Sequence, residues 1–128
     1  MIGCTFHTIK HPLARKMRTI EFNDGWVNIP MEKRTPHCKL SVVKTIASTG
    51  NVSTTQQARL GAVAMGLTFS DMLEVVMSLK TSEFHKSMTT HSDHTIWQDV
   101  YRTPSKVGMV YLKLTVISDV LIVSFKEL

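Results

Sequence analysis

Hydrophobic and polar residues alternate most regularly near the end of the chain, between Val110 and Lys126. Two runs rich in β-branched residues flank Ser118 and Asp119, an arrangement typical of a β-hairpin whose strands are joined by a two-residue turn. The register of such a hairpin sets these residues opposite each other: Ile117 and Val120, Thr115 and Ile122, Lys113 and Ser124, and Tyr111 and Lys126.

Alternation also divides this predicted hairpin into two faces. One face is wholly apolar and is predicted to be buried: Val110, Leu112, Leu114, Val116, Leu121, Val123 and Phe125. The other face is polar at its open end, where it carries Tyr111, Lys113, Ser124 and Lys126. A phenol beside ammonium groups suits proton transfer or the binding of a phosphate. The alternative is a solvated polar end of a sheet, which the residues alone slightly favour, since structural charge clusters are common.

Helical spacing of apolar residues precedes this region and predicts three helices. They cover Leu40 to Ala47 with a stop at Gly50, Thr54 to Met65 with a stop at Gly66, and Ser70 to Leu79. The period then changes, and two strands are predicted from Phe84 to Thr90 and from Ile96 to Arg102. Three helices followed by about four antiparallel strands predict an α+β fold, with N-terminal helices packed on a C-terminal antiparallel sheet.

The first part of the chain has no sustained period. A short hairpin from Thr19 to Ile29 is the only element that its turn residues suggest. We interpret residues 1–30 as an N-terminal extension and residues 31–128 as the functional domain, because the regular pattern begins after Met31. The alternative for the extension is a basic arm that touches RNA.

Composition narrows the class of protein. The chain has 128 residues, of which 43% are hydrophobic and 20% charged, and this predicts a single globular domain. A net charge of +5 favours anionic partners such as nucleic acid. Cys4 and Cys38 form no CxxC pair and are interpreted as lone thiols of a reducing cytoplasm. Neither a membrane span nor a signal peptide is predicted, so we expect a cytoplasmic location.

Further candidate residues lie on the two predicted strands before the hairpin. Lys86 has little opposite charge nearby and is suited to contact a phosphate, although an edge-strand lysine that opposes aggregation has the same pattern. Gln98 and Arg102 share one face of their strand, while Trp97 and Tyr101 share the other. Either the aromatic rings stack on bases or they belong to the core, and periodicity does not decide between the two.

A metal centre is not predicted. His91, Asp93 and His94 stand close together, but their spacing matches no ligand pattern, and a turn with polar caps is the better interpretation. The sequence contains no glycine-rich phosphate loop, nucleophile elbow or HExxH motif. We therefore expect neither a metal nor a cofactor in this chain.

Residues 31–128 resemble the MqsR (motility quorum-sensing regulator) family of bacterial toxins. The resemblance rests on these segments: MEKRTPH at 31–37, KSMTT at 86–90, SDHTIWQDVYR at 92–102, and VYLK, TVI, DVLIVSFKE between 110 and 127. It implies a RelE-like fold and an mRNA interferase of a type II toxin–antitoxin system, which cuts messenger RNA at GC-containing sites and inhibits translation. The implied partner is an MqsA-type antitoxin that carries zinc, and contact with DNA would be indirect, through that antitoxin.

The resemblance also implies which residues are catalytic: Lys86, Gln98, Tyr111 and Lys126. Lys113 and Arg102 are added as RNA-binding residues because of their charge and position. The expected reaction is a metal-independent attack of the ribose 2′-hydroxyl on the adjacent phosphorus. The alternative function is a non-catalytic regulator that binds RNA, or that binds the antitoxin and acts in transcription with it.

Overall fold

The computed structural model describes residues 31–128, and the hairpin predicted from Thr19 to Ile29 lies outside them. The strands in chain order are β1 (Glu32–Lys33), β2 (Val52–Thr54), β3 (Phe84–Thr89), β4 (Trp97–Ser105), β5 (Gly108–Ile117) and β6 (Asp119–Glu127). The helices are α1 (Leu40–Ser48), α2 (Gln56–Ala64) and α3 (Phe69–Met77), with a short 3₁₀ helix at Thr81–Glu83. The predicted α+β class is confirmed.

Each predicted helix is present, but α2 begins two residues later than predicted and α3 begins one residue earlier. Helix α2 is capped by Thr55, whose hydroxyl accepts a hydrogen bond from the backbone N–H of Ala58. Helix α3 begins at Phe69, one residue earlier than expected, because Thr68 caps it and forms a reciprocal capping box with Asp71. The predicted stops are confirmed, as positive φ angles of 87° at Gly50 and 78° at Gly66 follow the first two helices.

The sheet has six strands in the order β1-β3-β4-β5-β6-β2, two more than predicted. The additional strands are its short edges. Strand β1 pairs with β3 in antiparallel orientation, and β2 pairs with β6 in parallel orientation. Both were missed because two or three residues show no measurable alternation. The sheet is therefore mixed, with an antiparallel centre from β3 to β6.

The predicted register of the β5–β6 hairpin is confirmed at its open end and is wrong near the turn. At the open end Tyr111 pairs with Lys126 and Lys113 with Ser124, as predicted. Near the turn, however, Ile117 pairs with Asp119 across a single residue, Ser118, whose φ is 74°. This tighter turn shifts the pairing by one residue, and a bulge opposite Lys113 and Leu114 restores it.

The shift also exchanges the two faces of β6 near the turn. Val120 and Ile122 are buried in the core, whereas Leu121 and Val123, predicted to be buried, are only partly so. Beyond the bulge, Phe125 is buried as expected. A one-residue slip reverses every side chain up to the point of compensation, which explains why the prediction is wrong in only this part of the strand.

The helices pack on one face of the sheet. Their buried residues, including Val43, Ala58 and Val76, form one apolar cluster with Leu112 and Phe125 of the sheet. Helix α2 approaches β6 closely at Gly61, where a Cβ atom would lie 1.8 Å from the carbonyl oxygen of Phe125. Only glycine fits there, so the helix layer is fixed directly against the strand that carries Lys126.

A buried carboxylate fastens the segment before α1 to the same face. Asp99 of β4 accepts hydrogen bonds from the backbone N–H groups of His37 (3.0 Å) and Cys38 (3.1 Å) and from the hydroxyl of Ser87 (2.6 Å). Burial raises the pKa of Asp99, against the effect of these donors. Trp97 is buried beneath this segment, where its ring stacks on His37 at 5.6 Å.

The interpretation of the cysteines as lone thiols is wrong for Cys38. Its side chain is buried and disulfide-bonded. Cys4, the other cysteine of the sequence, lies outside the described residues. The absence of a CxxC pair excludes a local disulfide of that kind but does not exclude a bond between residues distant in sequence, so spacing was an insufficient criterion.

Between residues 31 and 128, no single helix has the length and apolar character needed to cross a membrane. Only α2 and α3 taken together pass that test, and they are bent by 96° where they meet.

Candidate functional site: the open face of the sheet

The face of the sheet opposite the helices carries all six predicted site residues. Two cross-strand rows establish this placement: Lys86 pairs with Val100, which pairs with Lys113, and Arg102 pairs with Tyr111, which pairs with Lys126. Paired residues project from the same side of a sheet, as do residues two apart on one strand. Gln98, two residues before Val100, belongs to the same side. We call this surface, formed by Lys86, Gln98, Arg102, Tyr111, Lys113 and Lys126, the open face.

Strand alternation explains why β4 supplies both faces. Trp97, Asp99 and Tyr101 are buried on the helix side, which decides the question that periodicity left open: these rings are not available to stack on bases. Gln98 is partly exposed and Arg102 is exposed. On the open face, Tyr111 is therefore the aromatic residue of the central strands β4 to β6.

The predicted approach of Tyr111 and Lys126 is confirmed. The ammonium nitrogen of Lys126 lies 5.1 Å from the centre of the Tyr111 ring, within the range of a cation–π contact. The phenol is partly buried and the lysine is exposed. A rigid pair of adjacent strands thus holds a hydroxyl group and a positive charge side by side.

Lys86 has a partner that the sequence did not reveal. Its ammonium group forms a salt bridge of 2.9 Å with Glu32 of β1, which pairs opposite Met88 and so lies on the open face. This hydrogen bond is the main cause of the lowered pKa of Glu32. Residue spacing could not predict this contact, because β1 has only two residues and Glu32 lies 54 positions before Lys86 in the sequence.

His85 also joins this surface unexpectedly. A simple alternation would place it on the face opposite Lys86, but the register of β3 and β4 shifts between Phe84 and Lys86. The imidazole Nε2 lies 3.2 Å from a guanidinium nitrogen of Arg102. Burial, and then the charges of Arg102 and Lys86, lower the pKa of His85.

Positive charge dominates the electrostatics of the open face. Lys86, Arg102, Lys113 and Lys126 come from four adjacent strands, and Glu32 opposes only the first of them. Burial, followed by repulsion from Lys126 and Lys86, lowers the pKa of Lys113. Such a cluster is suited to hold a polyanion and to stabilise negative charge that develops on a phosphate.

The 91–94 turn is stabilised by local hydrogen bonds, among them one from the backbone N–H of Asp93 to the hydroxyl of Thr90. Asp93 accepts hydrogen bonds from the backbone N–H and the hydroxyl of Thr95, at 2.9 and 2.6 Å. This confirms the interpretation as a polar turn. Within residues 31–128, no group of three or more histidine, cysteine, aspartate or glutamate side chains is arranged to hold a metal ion.

Comparisons with known proteins point to one family. The family described as "Motility quorum-sensing regulator, toxin of MqsA" matches residues 35–127, a region that contains the whole open face. A protein of Escherichia coli strain K12, the mRNA interferase toxin MqsR, is 61% identical over 97 residues, which make up 76% of this chain and 99% of that relative.

Proposed function

Because the chain belongs to the MqsR toxin family, we propose that its open face is the surface on which this endoribonuclease binds and cleaves messenger RNA. The activity itself follows from the 61% identity to an mRNA interferase toxin over nearly the whole of that relative. The chain is thus the toxin of a toxin–antitoxin pair. The location is supported by one observation: four cations share a face with Tyr111, and α1 to α3 pack on the other face.

The proposed reaction is an in-line attack by the ribose 2′-hydroxyl on the neighbouring phosphorus, with no metal ion involved. Lys86 and Lys126 stabilise the charge on the pentacoordinate phosphorus, since preorganised donors act where charge develops. Tyr111 binds the reacting ribose or phosphate through its hydroxyl group. Gln98 orients the phosphate or contacts a base edge, and Arg102 and Lys113 bind neighbouring phosphates. The products are a 2′,3′-cyclic phosphate and a 5′-hydroxyl.

Family membership further supports a preference for sites that contain a GC dinucleotide, and a RelE-like ancestry of the fold. The partner proposed is an MqsA-type antitoxin that carries zinc, and any contact with DNA is made by that antitoxin. Since messenger RNA is the substrate, we place the reaction in the cytoplasm. We propose residues 31–128 as the toxin domain and residues 1–30 as an extension, because the relative's 97 aligned residues match the length of the former.

The test is a cleavage assay of the full chain on a defined RNA in the presence of EDTA, with Lys86→Ala and Tyr111→Phe beside it. We expect cuts at GC-containing sites, with cyclic phosphate and 5′-hydroxyl ends, that both substitutions reduce by about 100-fold or more. A matched RNA with every GC replaced controls for site preference. Ends carrying 3′-hydroxyl groups, or cleavage abolished by EDTA, would contradict the proposed chemistry. Unreduced cleavage by both variants would contradict the location.

A further inference from the structure

Lys113 occupies the centre of the open face. It pairs with Val100 on one side and with Ser124 on the other, and Lys86 lies beyond Val100 in the same cross-strand row. Tyr111 precedes it by two residues on its own strand, and therefore projects from the same side about 7 Å away. Lys113 is thus the side chain that a phosphate held between Lys86 and Tyr111 would meet first.

Its surroundings differ from those of the lysines at the margin of the open face. Val100 projects from the open face, yet it is 0% exposed and lies outside the main apolar cluster. Lys86 and Lys113 are its cross-strand neighbours, so their aliphatic stems lie on either side of it. Lys113 is half-buried, whereas Lys126 is exposed. Part of the Lys113 side chain is therefore shielded from water, and this burial is the largest cause of its lowered pKa.

Within the part of the chain that the structure describes, Lys113 forms no salt bridge with a carboxylate. Among residues 31–128, the salt bridges are Lys86–Glu32 and Lys106–Asp71, and neither involves Lys113. The titratable groups that face it from the neighbouring strands are mostly cationic: Lys86 and His85 from β3, Arg102 from β4, Tyr111 from β5 and Lys126 from β6. Burial and two of these cations lower the pKa of Lys113, which increases the fraction of neutral amine at a given pH.

We propose that Lys113 is a catalytic residue, the general base that removes the proton from the attacking 2′-hydroxyl group. This inference rests on the proposed function and deepens it. The neutral amine takes the 2′ proton and becomes an ammonium, while the 2′ oxygen forms a bond to phosphorus. The bond from phosphorus to the 5′ oxygen breaks, and the ammonium of Lys126 gives that oxygen a proton. A lysine that only bound phosphate would keep its proton throughout.

Substitution by arginine separates the two roles, because arginine keeps the charge but does not lose its proton at ordinary pH. We expect Lys113→Arg to lower the single-turnover cleavage rate about 100-fold or more. Its affinity for an uncleavable RNA, with a 2′-deoxy residue at the cut site, should stay within about threefold of the unaltered chain, since the phosphate contacts keep their charge. Lys106→Arg, on the β4–β5 turn, is the control and should cleave normally.

The pH profile supplies a second readout. In the unaltered chain the cleavage rate should rise with pH until Lys113 is deprotonated, at a pH below the ordinary lysine range, and then level off. Lys113→Met keeps an apolar stem over Val100 but should lose this rise, and added ethylamine should restore part of its rate. A melting curve for each variant confirms that it is folded.

Cleavage by Lys113→Arg within about threefold of normal, with the rise in rate retained, would overturn the proposal and leave Lys113 as a phosphate contact. That result would not affect the proposed function, because Lys86→Ala and Tyr111→Phe would still be impaired. Absence of cleavage by the unaltered chain would overturn both.

Discussion

The two faces of the sheet are built from the same strands but are stabilised in different ways. On the helix face, Tyr101, Leu112 and Phe125 are buried against α1 to α3, and their positions are determined by close packing. On the open face, α1 to α3 do not cover Tyr111 and the lysines, which are positioned by the backbone register and by polar contacts such as the Lys86–Glu32 salt bridge. Stability should therefore depend on one face and activity on the other.

Tyr111 on the open face and Tyr101 on the helix face provide the strongest test of this separation. Tyr111→Phe should produce the largest loss of cleavage. Loss of its hydroxyl should reduce cleavage by about 100- to 10,000-fold, because the group contacts the reacting centre. The melting temperature should hardly change, since the ring and its contact with Lys126 remain. Single-turnover cleavage and thermal unfolding of the same preparation measure both quantities.

Tyr101→Phe is the matched variant on the helix face. The hydroxyl of Tyr101 is buried and makes no hydrogen bond within the part of the chain that the structure describes, and burial raises the pKa of this phenol. Its removal should leave cleavage unchanged and alter the free energy of unfolding by no more than about 1 kcal/mol. A strong loss of cleavage in Tyr101→Phe would show that the faces are not independent.

Asp99→Ala should produce the largest loss of stability among these variants without touching the open face. It removes the acceptor of two backbone N–H groups in a buried site and leaves the Ser87 hydroxyl with only its longer contact, 3.4 Å, to the carbonyl oxygen of Gln98. We expect the free energy of unfolding to fall by about 3 kcal/mol, measured by denaturant titration. Asp93→Ala, which removes an exposed acceptor in the 91–94 turn, should cost about 1 kcal/mol or less. Equal losses would contradict the role of Asp99 as a buried clamp.

Glu32→Gln should have the smallest effect, because it alters one charge at the margin of the open face. Its salt bridge to Lys86 is partly exposed, so stability should change by no more than about 0.5 kcal/mol. Without the carboxylate, RNA should bind about two- to fivefold more tightly at low salt, and the difference should shrink as salt rises. Fluorescence anisotropy in a Tyr111→Phe background measures this without cleavage. Glu74→Gln on α3 is the control, and weaker binding by Glu32→Gln would contradict the expectation.

The sequence predicted what depends on long, regular patterns. Three helices and the four central strands follow from periodicity. The pairing of Tyr111 with Lys126 was predicted from a two-residue turn, and it is present because the bulge compensates the shorter turn. The failures concern short or irregular features. The contact between Glu32 and Lys86 depends on a two-residue strand, and the position of His85 depends on a shift in register. Such features depend on tertiary packing, and they leave no periodic pattern of residues in the sequence.

The assignment of Lys113 shows a different limit. Its charge and face were predictable, but its partial burial and the effect of Lys126 and Lys86 on its pKa depend on contacts between strands. Roles implied by the family resemblance cover Lys86, Gln98, Tyr111 and Lys126, and these remain predictions until variants are measured. In the structure, all of them lie with Lys113 and Arg102 on one face of the sheet, the one opposite α1 to α3.

The bulge in β6 constrains how the length of this chain can vary in evolution. The single-residue turn at Ser118 and the additional residue near Val123 displace the register in opposite senses, so that their effects cancel before Lys126. If the same residues paired without the bulge, Phe125 would lie opposite Tyr111 and Lys126 opposite Val110, and the two side chains would exchange faces. Related genes should therefore accept the loss of the extra residue near Val123, which leaves every other pair in place, but not a one-codon change between Ser124 and Lys126, which would reverse the face of Lys126.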